Sequence, residues 1–154
     1  MLRVLSAEEI KSILEKYKTI AVVGLSTNPA KDSHRVAKYL KTKGYRIIPI
    51  NPSADVILGE KCYKSLLDVP ETVEIVDIFR PAKDVPPIVD QAIELKRRLG
   101  NPRVIWMQLG IVNEEAAKRA KNASLTVVMD KCMMKEHKRL SRKALRAIKG
   151  EFLK

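Results

Sequence analysis

Along the chain, short runs of Val and Ile alternate with longer stretches in which apolar residues recur every three to four positions. The first periodic stretch, about Ala7 to Tyr17, sets Ile10, Ile13 and Leu14 on one helix face, and Ser6 with Glu9 makes a capping box ahead of it. Thr19 to Val23 then reads as a strand, stopped by Gly24. A helix follows from about Asp32 or Ser33 to Lys43, with Val36, Ala37 and Leu40 as its buried stripe and Gly44 as its C-terminal cap. The second strand, Tyr45 to Ile50, stops at Asn51-Pro52. A loop with a short helix, about Ser65 to Asp68, leads to a third strand, Glu74 to Phe79, which stops at Arg80-Pro81. The next helix, about Val85 to Leu99, accommodates Pro86 and Pro87 because first-turn N–H groups have no intrahelical acceptor. A fourth strand from Arg103 to Gln108 ends near Gly110. A helix from about Glu114 to Lys121, a fifth strand from Leu125 to Met129 and a basic helical tail complete the pattern.

Near-continuous Val/Ile strands separated by amphipathic helices imply a parallel sheet buried on both faces. Right-handed crossovers then give an α/β, Rossmann-like, doubly wound fold of about five strands, with an expected order of 3-2-1-4-5. In that order the winding reverses between the first and fourth strands, and a ligand is expected above the strands' carboxyl ends there. Gly24, Asn51, Arg80 and Gln108 all stand at such ends. Neither a repeat nor a linker interrupts the chain. Residues 1–140 read as one domain and 141–154 as a basic helical tail.

Composition narrows the class. At 154 residues, with 45% hydrophobic and 31% charged residues, the chain suits one globular domain with a real core. No apolar run approaches the roughly 20 residues of a membrane span, and the first helix mixes acids and lysines unlike a signal peptide. Two distant cysteines, Cys62 and Cys132, make no disulfide framework, and the expected compartment is the cytoplasm. The net charge of +12 favours anionic partners. Residues 131–154 hold nine Lys/Arg against Glu136 and Glu151, so 9 − 2 = +7 lies in the tail. That tail is either a solvated helix face or an attractor for phosphate-rich ligands or nucleic acid.

The loop from Gly24 to Lys31 has the features of a phosphate cradle. Gly24 turns the chain out of the sheet, Ser26 offers a hydroxyl, and Lys31 adds charge near a helix N-terminus whose N–H groups and dipole favour anions. A dinucleotide fingerprint is missing. Ser26 and Pro29 stand where the second and third glycines belong, and the second strand ends Ile50-Asn51-Pro52 with no acid for a ribose. Arg80 and Lys83 follow the third strand and, with Lys31, Arg35 and the tail, would surround the crevice with positive charge. Coenzyme A, with a 3′-phosphate beside its pyrophosphate, suits such a rim. The alternative for Arg80 is a salt bridge to a loop acid.

These residues resemble a known family. The segments GLSTNPAKDSHRVAKYLKTKGYRIIPINP, VDIFRP, IWMQLGI and MDKCMMKEHKRL, in that order, are similar to the small CoA-binding proteins related to the CoA-binding domain of the succinyl-CoA synthetase α subunit. The resemblance runs from about Ser6 to Leu140. It implies a Rossmann-like fold that holds CoA or an acyl-CoA at the strands' carboxyl ends. By motif, Gly24, Leu25 and Ser26 would meet the pyrophosphate, with Lys31 near the phosphates. Asn51 and Pro52 would line the adenosine side, Phe79, Arg80 and Pro81 would flank the ligand, and Met107, Gln108 and Gly110 would form a wall. His34, Arg35, Ile50 and Lys83 complete the expected binding set. The synthetase's second, catalytic domain has no counterpart here, so the resemblance carries binding rather than synthesis.

No catalytic or metal-ligating set stands out. His34 and His137 are the two histidines, and neither has an acid orienter at helical spacing. Cys132 and His137 are too few ligands for zinc. Cys132 follows the fifth strand on the ligand side of the sheet. It is either a small buried apolar residue or a thiol placed to form a mixed disulfide with CoA. The partner expected is a small nucleotide ligand, with no membrane association and with a homo-oligomer open. The competing readings are a nucleic-acid-binding protein that uses the tail, or a CoA-dependent enzyme component acting with a partner. The low aromatic content, 5%, speaks against base stacking.

Overall fold

The structure, a computed structural model, describes residues 3–152, so the last two residues of the expected tail lie outside it. Its first strand, β1 (Thr19–Val23), is buried from Ile20 onward because helices cover both sides of the sheet. Helix α1 (Ala7–Lys16) precedes it and starts with the expected capping box. Glu9 N–H donates to Ser6 Oγ, and Ser6 N–H donates to Glu9 Oε1, each at 3.2 Å. Helix α2 (Asp32–Thr42) crosses to β2 (Arg46–Ile50). A small hairpin of β3 (Val56–Ile57) and β4 (Glu60–Lys61) follows, turning through Leu58 and Gly59, both at positive φ. The chain then runs through a 3₁₀ turn at Leu66–Asp68 into β5 (Ile75–Ile78), α3 (Val85–Leu99), β6 (Val104–Met107), α4 (Glu114–Asn122), β7 (Thr126–Val128) and α5 (Met133–Phe152).

All five long strands pair in parallel, as expected, but their order is β2-β1-β5-β6-β7. In sequence terms this is 2-1-3-4-5, not the expected 3-2-1-4-5. The third strand lies against the first, and the winding reverses between those two. Two physical reasons decide it. Pro49 has no N–H to give a ladder, and its carbonyl faces outward to accept from Tyr63 N–H at 3.0 Å, so β2 belongs at an edge. The strand β5, in contrast, is buried along its whole length and needs neighbours on both sides. Glu74 fixes it there: its carboxylate accepts from Lys18 and Thr19 N–H at 3.0 and 3.1 Å, and its own N–H donates to Thr19 O at 3.1 Å. The hairpin and the following segment cover the free edge of β2, with Asn51 N–H donating to Tyr63 O at 2.9 Å.

Alternate residues of the sheet feed two cores. One side packs Val76, Ile78, Ile105 and Met107 under α3 and α4. The other packs Val22, Ile75, Trp106 and Val128 under α1, α2 and the start of α5. Trp106 has no exposed surface, and its Nε1–H donates to Lys131 O at 2.8 Å, which satisfies the one polar atom of a buried indole. None of the described helices is long and apolar enough to cross a membrane. The tail continues α5 without a break, and residues 141–150 are exposed.

Candidate functional site

Beside the reversal of winding, a crevice of about 640 Å³ opens above the carboxyl ends of β1 and β2 and takes in Arg80 and Asp84 from the exit of β5. Gly24 forms its floor. It sits at φ 87°, and its N–H donates to Ile50 O at 3.1 Å. A Cβ there would lie 2.6 Å from Phe79 O, so the exit of β1 passes too close to the exit of β5 for any side chain.

The loop beyond Gly24 is stitched by its own side chains. Ser26 N–H donates to Ser33 Oγ and Asn28 N–H to Ser26 Oγ, both at 3.0 Å, and Ala30 N–H donates to Asn28 Oδ1 at 2.9 Å. His34 Nδ1 lies 2.9 Å from Ser26 O and braces the same turn from the helix. This loop delivers the chain to α2 with Lys31 as N-cap and no side chain capping the helix start. By comparison, Ser6 caps α1 and Asn113 caps α4. First-turn N–H groups of α2 are therefore left for an external acceptor, where the helix dipole adds about half a positive charge.

The side walls come from three other segments. Asn51 donates from Nδ2 to Leu25 O at 2.9 Å and accepts at Oδ1 from Ser53 and Ala54 N–H at 2.8 and 3.0 Å, which clamps the two strand-end loops together. Lys64, Ser65 and Leu66 form a second wall, and Pro87, Ile88 and Gln91 of α3 a third. Arg80 stands at the rim with its guanidinium 3.2 Å from Asp84, half exposed, so the salt bridge to a loop acid is present. An exposed pair of this kind holds the arginine weakly.

Of the residues expected at the site, Gly24, Leu25, Ser26, Ile50, Asn51, Pro52 and Arg80 line this crevice. Arg35, Phe79 and Gln108 line a separate cavity of about 160 Å³ on the other side of the loop, with Val36, Cys132 and Met134. Arg35 is engaged with Asp32. Met107 is not a wall: it is fully buried under α3 and α4 because the sheet alternation turns it into the core. Gln108 is likewise structural. Its Nε2 donates to Asp77 Oδ1 at 2.6 Å, and its Oε1 accepts from Met133 N–H at 3.3 Å. Burial pushes the Asp77 carboxyl up to about 7, against the lowering effect of the Gln108 hydrogen bond. Lys31, His34, Pro81, Lys83 and Gly110 line neither cavity. Gly110 is held by its N–H to Asp130 Oδ1 at 2.7 Å. Sequence reading missed Lys64, Ser65, Leu66 and the first turns of α3, which only the fold brings over the strand ends. Among the described residues no three His, Cys, Asp or Glu side chains cluster as a metal site.

The profile of the CoA binding domain matches residues 18–138. The chain belongs to the CoA-binding domain family. Within it, the chain is similar to the uncharacterized protein YneT of Bacillus subtilis, 41% identical over 132 residues, covering 86% of this chain and 94% of that one. It is also similar to a solved hypothetical protein from Pyrococcus horikoshii, with 42% identity, a TM-score of 0.83, and 91% and 97% of the two chains covered. An ADP-forming acetate–CoA ligase (II) of Archaeoglobus fulgidus is 39% identical over 79 residues, which are 50% of this chain but 12% of the ligase. The family match ends at residue 138, so most of α5 lies beyond it.

Proposed function

We propose that this CoA-binding domain protein holds coenzyme A or an acyl-CoA in the crevice above β1 and β2. The observation that carries the reading is the meeting in one crevice of the glycine turn at Gly24, the Ser26 loop and the cations Arg80 and Lys64, with the uncapped start of α2 tied to that loop by the bond from Ser26 N–H to Ser33 Oγ. A pyrophosphate suits the free first-turn N–H groups and the Ser26 loop. A 3′-phosphate suits Arg80 or Lys64, and the adenosine suits the wall of Ile50, Asn51 and Pro52. Residues 1–140 form the binding domain, and the exposed length of α5 is an appendage to it. The ligase activity of the longer relatives stays with them; here the reading is binding without a catalytic set of its own.

Two measurements test it. Purified protein, mildly denatured, should release a pantetheine-bearing adenylate identifiable by mass spectrometry. Calorimetry should show CoA binding more tightly than dephospho-CoA. Arg80→Ala should weaken CoA by about 10- to 100-fold while barely changing dephospho-CoA, the size expected for one charge-assisted hydrogen bond. Absence of binding to either ligand would remove the proposal. Equal losses would move Arg80 to the pyrophosphate.

A further inference from the structure

The exposed half of α5 carries a charge arrangement that the crevice does not use. Lys135, Lys138, Arg139, Arg142, Lys143 and Arg146 line a shallow hollow of about 580 Å³, with no acid in its lining. At about 100° and 1.5 Å per residue, these positions and Lys149 share one helix face and extend over about 21 Å. The arginines of α3 and α4 are neutralised locally. Glu94 pairs with Arg97 and Arg98, and Arg119 pairs with Asp90 and Glu115. On α5, Arg139 meets Glu136 at 3.1 Å and Lys143 meets Glu8 at 3.8 Å, while residues 138–150 contain no acid. Like charges at i,i+3 and i,i+4 spacing, such as Lys138 with Arg142 and Arg142 with Arg146, oppose the helix that carries them. A helix that keeps such repulsion along one face fits an anionic partner better than water.

We propose that this face of α5 binds the sugar-phosphate backbone of a nucleic-acid duplex without reading its bases. The repeating anion of a duplex matches a straight row of cations, arginine adds bidentate phosphate contacts, and a major groove admits a helix of this width. A duplex is favoured over a single strand because residues 138–150 hold no aromatic side chain on which a base can stack. It is favoured over a membrane by how few large apolar residues are exposed. Leu145 and Ile148, 57% and 50% exposed, are the only large apolar side chains among residues 141–150; at 100° per residue Leu145 flanks the cation row and Ile148 lies on the far side of the helix. The side facing away from the cations borders α1, where Leu140, Ala144 and Ala147 share a groove with Lys11 and Glu15. A helix lying in a bilayer surface needs a broad apolar face opposite its charges.

Fluorescence anisotropy on the full chain tests this, using labelled duplexes of about 24 base pairs and two unrelated sequences, as DNA and as RNA. Both sequences should bind alike, to one backbone or to both, with a log–log salt slope of roughly −3 to −6. Arg142→Glu/Arg146→Glu should lower affinity at least tenfold at about 100 mM salt while leaving CoA binding intact, so this inference and the crevice reading can fail separately. Lys118→Glu/Lys121→Glu makes the same charge change on α4, across the sheet, and should lower duplex affinity less than threefold. Equal losses in the two charge variants, or displacement of the duplex by CoA, would overturn the proposal. So would loss in Leu145→Ser/Ile148→Ser together with binding to phosphatidylglycerol vesicles.

Discussion

Asp77 stands fully buried in the sheet with one carboxylate oxygen bonded to Gln108 and the other without a partner. Its folded value near 7 lies above the ordinary carboxylate range, so the folded chain holds the proton more tightly than the unfolded one. Stability from this group is therefore full below about pH 4 and is lost as pH rises toward 7. Asp77→Asn keeps an acceptor for Gln108 and removes the titration. It should raise stability at pH 8 by on the order of 2 kcal/mol, with the gain vanishing below about pH 4, as read by denaturant melts across pH. Gly24 poses a different constraint. Because its missing Cβ would meet Phe79 O at 2.6 Å, at a backbone angle that side chains avoid, Gly24→Ala should destabilise the protein by about 1–3 kcal/mol even without ligand. A melt unchanged from wild type would remove the close approach to Phe79 O as the reason for a glycine here.

Among the elements, α5 and β2 show how a neighbour changes what a segment does. The first turns of α5 dock through His137, whose Nδ1 lies 2.7 Å from the Tyr39 hydroxyl and whose ring meets Tyr39 and Tyr45 edge to face. Burial, then Lys43 and Lys18, hold its pKa below the usual histidine value. A lowered folded value contributes stability above about pH 6.5 that is lost as pH falls through the folded value. Acid should thus loosen α5 from α2, opposite in sign to the effect of Asp77, and the Asp77→Asn background isolates it. There, His137→Phe should flatten the fall in melting temperature between pH 7 and pH 5; an unchanged fall would place the acid sensitivity elsewhere. For β2, Pro49 was a legible mark of an edge strand. The near-continuous apolar pattern of the third strand likewise marked an interior one. The expected order neglected both, because crossover handedness alone does not choose the side of β1 on which a third strand lands.

At the scale of the molecule, the crevice and the cation-lined face of α5 share no residue, so CoA bound in the crevice, as proposed, should appear as global stability. CoA at 100 times its dissociation constant should add about 2.7 kcal/mol, seen as a rise in melting temperature of several degrees, and the α5 charge variant should keep that rise in full. A variant that loses it would tie α5 to the crevice. Period, caps and breakers in the chain were enough to determine the five long strands, the helices and the parallel α/β class, though not the β3–β4 hairpin, because those depend on local backbone preference and on which faces must be buried. They also marked Gly24, Asn51 and Arg80 at strand ends. Edge and interior marks narrowed the strand order, and tertiary structure fixed which strands are neighbours. It brought Lys64, Ser65 and Ile88 over the crevice, and it turned Met107 and Gln108 inward. Those outcomes depend on long-range pairing and on the facing of each side chain, and a linear pattern carries neither.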